Sequence, residues 1–103
     1  MIIVYSIRKI PIRLTEERWF HITEGHPEMA GYYHTVLQCI ECPDAVYKGI
    51  ENENIAVLEI EAGKYVTTIY KELDNADGFV ITAFFTKRIR QIERREKLWE
   101  KLK

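Results

Sequence analysis

The apolar positions change period along the chain, and each change marks an element. From Ile2 to Ile10 the residues are mainly apolar and β-branched, which reads as one strand that Pro11 ends or confines to an edge. Thr15 is placed to cap a helix whose first turn holds Glu16 and Glu17. Trp19, Phe20 and Ile22 follow on that helix before Gly25 closes it. Pro27 suits the first position of a second helix, with His26 at its N-cap and Glu28 just behind. Met29, Tyr32, Tyr33, Val36, Leu37 and Ile40 then recur at three- and four-residue spacing, the stripe of a helix packed on a core, and Pro43 stops it.

The period shortens in the second half. Ile55 to Ile60, Lys64 to Leu73 and Phe79 to Thr86 read as strands, joined by the turn material Ala62-Gly63 and Asp74-Asn75-Ala76-Asp77-Gly78. Links this short favour antiparallel pairing. The nearly unbroken apolar run from Phe79 to Phe85 suggests a central strand. A last helix is expected from about Ile89 to Leu102, with Ile89, Ile92, Trp99 and Leu102 facing inward. The pattern predicts one α+β domain over residues 1–103, helices first and an antiparallel meander after them.

Composition adds limits. The chain has 103 residues, 47% apolar and 30% charged, which is room for one core and not two. Net charge is −1, but its distribution is uneven. Residues 1–85 hold 7 Lys/Arg against 13 Asp/Glu, and residues 86–103 hold 8 against 3, so a basic arm follows an acidic body. The opening apolar run is interrupted at Arg8 and Lys9, far short of the roughly 18 residues that span a bilayer. No membrane association or secretion signal is expected, which points to the cytoplasm and to reduced Cys39 and Cys42.

Few side chains offer chemistry. His21 and His26 flank the turn between the first two helices, and a histidine serves as general acid or base near neutral pH. Cys39 and Cys42 have C-x-x-C spacing, but at a helix end rather than a helix start and with no second ligand pair, so both read as buried free thiols. Lys71 and Thr82 lie on neighbouring strands, where a lysine and a hydroxyl can hold a phosphate between them; the alternative is a strand-edge lysine and a satisfied core threonine. One hairpin register puts Tyr70 on the face of Thr82, and the register shifted by one residue puts Lys71 there. The sequence leaves both open. No Gly-rich phosphate loop, dinucleotide fingerprint, H-E-x-x-H or G-x-S-x-G is present, so neither cofactor nor metal is expected.

Several segments in order are familiar: Leu14-Thr15-Glu16-Glu17-Arg18-Trp19-Phe20-His21-Ile22, Gly25-His26-Pro27-Glu28, Pro43-Asp44, Ile69-Tyr70-Lys71-Glu72-Leu73 and Asp77-Gly78-Phe79-Val80-Ile81-Thr82-Ala83-Phe84. This succession resembles the phage-associated families of the barnase–EndoU–colicin–RelE-like nuclease fold. The resemblance implies N-terminal helices packed on a mainly antiparallel four-stranded sheet, here with a C-terminal basic helix. It also implies metal-independent RNA cleavage of the toxin kind, with an antitoxin or immunity protein as partner. Carried over by motif, His26 and His21 are the acid/base candidates, Lys71 stabilises charge on the phosphate, and Thr82 binds a phosphate oxygen. Arg13, Arg18, Tyr70, Lys87 and Arg88 are candidate contacts to the RNA substrate. The rival reading is a non-catalytic protein- or RNA-binding module on the same fold, favoured by the acidic body and by the lack of a diagnostic catalytic set.

Overall fold

The computed structural model describes residues 2–102. Met1 and Lys103, the ends of the expected domain, lie outside the described residues. The chain forms strands β1 (Ile2–Tyr5) and β2 (Pro11–Leu14), helix α1 (Glu16–Gly25), a 3-10 turn (Pro27–Met29) and helix α2 (Tyr33–Glu41). Strands β3 (Ala45–Lys48), β4 (Asn54–Glu61), β5 (Lys64–Asp74) and β6 (Asp77–Thr86) follow, then helix α3 (Ile89–Glu93) and strand β7 (Lys97–Glu100). No helix among the described residues is long and apolar enough to cross a membrane.

The sheet has seven strands in the order β1-β2-β6-β5-β4-β3-β7, which overturns the expected four-stranded sheet led by helices. Strands precede the helices, and the sheet is mixed, because β2 meets β6 in parallel at Arg13 and Phe79 while the other neighbours are antiparallel. Three local causes account for the extra strands. The first segment is a hairpin, since Lys9 adopts φ +64 and the Ser6 and Lys9 amides donate to Ile10 O and Ser6 O. A lysine in a left-handed turn leaves no sequence signal of the kind glycine or asparagine gives. Pro11 therefore opens β2 rather than ending β1.

The second cause is the brief run Ala45–Lys48, whose first three residues are buried and which is framed by Pro43 and Gly49. At four residues it is too short for its period to show. The third lies at the C-terminus, where the expected basic helix from Ile89 to Leu102 is a five-residue helix followed by a strand. Val46 pairs with Trp99, so β7 covers an edge of β3 that would otherwise offer unpaired backbone groups. The predicted second helix is also divided. Gly31, at φ +89, separates the 3-10 turn from α2, a conformation that glycine adopts without steric cost.

Elsewhere the pattern translates directly. Thr15 caps α1 by accepting from the Arg18 amide at 3.1 Å. Val36, Leu37, Cys39 and Ile40 are the buried stripe of α2. They close over Ile12, Leu14, Val46, Val66, Tyr70, Val80 and Ala83 on one face of the sheet, and this is the main core. The opposite face carries a smaller cluster of Ala45, Tyr47, Ile55 and Val57, with Ile89 and Ile92 of α3 packed against it. The β1, β2 and β6 end of that second face has no helix over it among the elements packed there.

Candidate functional site

The side on which each strand residue projects follows from the β5–β6 register. Tyr70 opposes Val80, Lys71 opposes Phe79, and Ile69 opposes Thr82, so Ile81 is an extra residue that bulges from β6. Without the bulge Thr82 would oppose Thr68 and point into the main core. With it, Thr82 falls on the face of Ile69, which packs in the second cluster, and Lys71 lies two residues along β5 on that same face. The register question is thus answered in favour of Lys71.

Arg13 joins this face through β2, where it opposes Phe79. Its guanidinium is held by a bidentate pair to Asp77, Nε to Oδ1 at 2.9 Å and Nη2 to Oδ2 at 3.0 Å. That pairing fixes the guanidinium plane and leaves Arg13 only partly available to a phosphate. Phe79, Thr82 and Phe84 are all partly exposed along β6.

His26 reaches the same strand from the other side of the chain. It ends α1, its amide donating to Ile22 O at 2.7 Å, and its carbonyl accepts from the Met29 amide at 2.9 Å. The side chain makes no cap hydrogen bond, so the imidazole is not used as the sequence position suggested. Its ring centroid is 5.8 Å from that of Phe84, and Nδ1 lies 3.6 Å from Glu28 Oε2. That separation is too long for a hydrogen bond. Nε2 has no partner among the described residues.

The remaining candidates do not gather with these. His21 sits exposed on α1 with Nδ1 3.9 Å from Glu24 Oε1 and its ring against Phe20, so each histidine faces its own glutamate. Arg18 is exposed on the same helix. Tyr70 is fully buried on the helix-covered face, and its hydroxyl has no hydrogen-bond partner. Burial, reinforced by Glu72 and opposed by Arg8, pushes its phenol far above the ordinary value. It is a core residue and cannot touch a surface substrate without unfolding. Lys87 and Arg88 are exposed just beyond β6, where the Arg88 amide donates to Thr86 Oγ1 at 3.0 Å.

A second polar group was not foreseen from the sequence. Ser6 Oγ donates to Glu72 Oε2 at 2.7 Å, and Arg8 Nη1 donates to Glu72 Oε1 at 2.7 Å and to Asn54 Oδ1 at 3.1 Å. The members come from the β1–β2 loop, β4 and β5, up to 66 residues apart, so nothing local links them. Of the two thiols expected to be free and buried, Cys42 alone departs from expectation, in being exposed. Cys39 is buried, Cys42 is exposed, and neither is in a disulfide. No protein-family model, curated protein or solved structure matches this chain.

Proposed function

We propose that the chain is a metal-independent endoribonuclease acting on the open face of β6, as its resemblance to the barnase–EndoU–colicin–RelE-like families implies. The observation that carries this reading is the Ile81 bulge, which brings Thr82 to the face of Lys71 beside Phe79 and within one alternation of Phe84, the neighbour of His26. A lysine and a hydroxyl on one face are suited to a phosphate, and partly exposed aromatic rings are suited to stacked bases.

The chemistry needs no metal. The 2′-hydroxyl of the RNA attacks the adjacent phosphorus, a base takes its proton, and an acid protonates the departing 5′-oxygen. The products are a 2′,3′-cyclic phosphate and a 5′-hydroxyl. His26 takes the 2′-hydroxyl proton through the nitrogen without a protein partner, and the imidazolium so formed gives a proton to the departing 5′-oxygen. Lys71 neutralises charge on the phosphate as it becomes pentacoordinate, and Thr82 donates to one of its oxygens. Lys87 and Arg88, exposed at the end of β6, extend the contact along the backbone as phosphate partners. In a cell, such an activity calls for an antitoxin or immunity protein that covers this face.

Purified protein incubated with total RNA in EDTA tests the reading. Cleavage leaving cyclic phosphate ends is expected, falling at least about 100-fold in His26→Ala, the usual scale of a lost acid/base group. Lys71→Ala and Thr82→Val are expected to slow cleavage while leaving the fold unchanged, since both side chains are partly exposed. Full activity in all three variants refutes the site. Absence of cleavage of any RNA, with binding retained, favours the non-catalytic module, which the paired state of Arg13 and the acidic body also suit.

A further inference from the structure

The second face of the sheet carries a concavity away from Lys71 and Thr82. A cleft of about 450 Å³ opens between β3, the β4–β5 hairpin, α3 and the segment after β7. Its floor is apolar, formed by Ala45, Val57 and Ile89, and its rim is acidic. Asp44, Glu59, Glu93 and Glu100 line it against a single lysine, Lys101. Three of these carboxylates are partly engaged within the protein. Asp44 Oδ2 accepts from the Glu59 amide at 2.7 Å, Glu59 Oε2 from the Gly63 amide at 2.9 Å, and Glu100 Oε2 from Lys97 Nζ at 3.0 Å. Glu93 has neither an ion pair nor a hydrogen bond among the described residues.

Charge alone does not make a site, but the cleft also holds a polar group with no internal use. Tyr47 lines it with only 3% of its surface exposed, and its hydroxyl has no hydrogen-bond partner among the described residues. Burial is the main cause that holds this phenol above its ordinary value; Glu93 and Glu100 add to the effect and Lys97 opposes it. Tyr65 lines the same cleft and is raised by burial first and by Glu59 and Glu93 next. Two aromatic rings, an unpartnered phenol and a free carboxylate thus converge over an apolar floor. Aromatic faces attract cations, and an aliphatic stem suits the floor while its charged head reaches the rim. Phosphate-bearing ligands are disfavoured here by the same carboxylates.

We propose that this cleft binds a primary alkylammonium group, with the stem on Ala45, Val57 and Ile89 and the head between Tyr47 and Glu93. Two sources present that chemistry: a free polyamine, or a lysine side chain of a partner protein. The cleft lies at the β3 end of the second face and shares no lining residue with the β6 site, so its occupancy does not depend on RNA cleavage.

Calorimetric titration of the full chain with spermidine, and in parallel with a short lysine-bearing peptide, distinguishes the sources, and amide shifts at Ala45, Tyr47 and Val57 locate the contact. Saturable spermidine binding with shifts at those residues identifies the free cation. Binding of the peptide without spermidine binding identifies a partner's lysine. Tyr47→Phe and Glu93→Gln are each expected to weaken the interaction about tenfold, the scale of one charge-assisted hydrogen bond. Both are conservative changes, and Glu17→Gln on exposed α1 serves as the control for general charge attraction. No saturable binding of either ligand, or equal weakening by Glu17→Gln, overturns the proposal.

Discussion

Thr82 and Tyr70 show how much turns on the direction of one side chain. Both lie in the segments that carry the nuclease resemblance, yet the first reaches the open face and the second is sealed beneath the helices. An unpartnered hydroxyl in the core costs stability, so Tyr70→Phe is expected to leave the protein as stable or more stable, by up to about 2 kcal/mol in urea unfolding. A loss of stability shows that the hydroxyl is bonded, and the placement is then wrong. The thiols give a second residue-scale test. Cys42 is expected to react readily with a disulfide reagent in the native protein, and Cys39 only on unfolding. Burial pushes the Cys39 thiol up to about 12, while the unfolded chain ionises near about 8.5. The unfolded state therefore loses its proton first. This contribution to stability is complete below about pH 8.5 and is lost as pH rises through the folded value; Tyr70, also raised, adds a loss above about pH 10. A fall in stability across this alkaline range, reduced in Cys39→Ala at its lower end, is the expected profile.

Elements were legible where their period was long enough to read. The α1 cap at Thr15, the α2 stripe and the β4–β5–β6 meander were all visible in the apolar pattern, because each runs for two turns or for several alternations. What was hidden depends on single residues or on distant partners. The Lys9 turn, the Gly31 break and the four-residue β3 have no periodic signal, and β7 is a strand because β3 has an edge to cover. The β5–β6 bulge is equally invisible, since an inserted residue looks like any other in the sequence. Gly78 illustrates an element-scale constraint that the structure adds. A Cβ there would meet Ile12 Cδ1 and Lys71 O, both at 2.6 Å, where β2 comes up against the β5–β6 hairpin. Backbone cannot move aside cheaply, so Gly78→Ala is expected to cost about 1–3 kcal/mol, measured by thermal or urea unfolding. An unchanged midpoint contradicts the close packing of that corner.

At the scale of the whole molecule, the second face of the sheet is divided by charge. Lys71 lies on β5 beside β6, where Arg13 is balanced by Asp77, and the carboxylates of the cleft lie toward β3 and the C-terminal segment. The basic arm of residues 86–103 is not the long helix its composition suggested; it is split between a short helix and an edge strand. Its arginines Arg88, Arg90, Arg94 and Arg95 are exposed on and beside α3. An anionic backbone is steered toward the end of the face that holds Lys71 and away from the end that holds Glu93. The most direct test maps a non-cleavable 2′-deoxy oligonucleotide on the folded protein by amide chemical shifts. The expected result is shifts centred on Lys71, Thr82, Phe84 and His26, weakening as salt is raised. Shifts confined to Arg90, Arg94 and Arg95, with β6 unperturbed, would contradict the assignment of the open face as the nucleic-acid site.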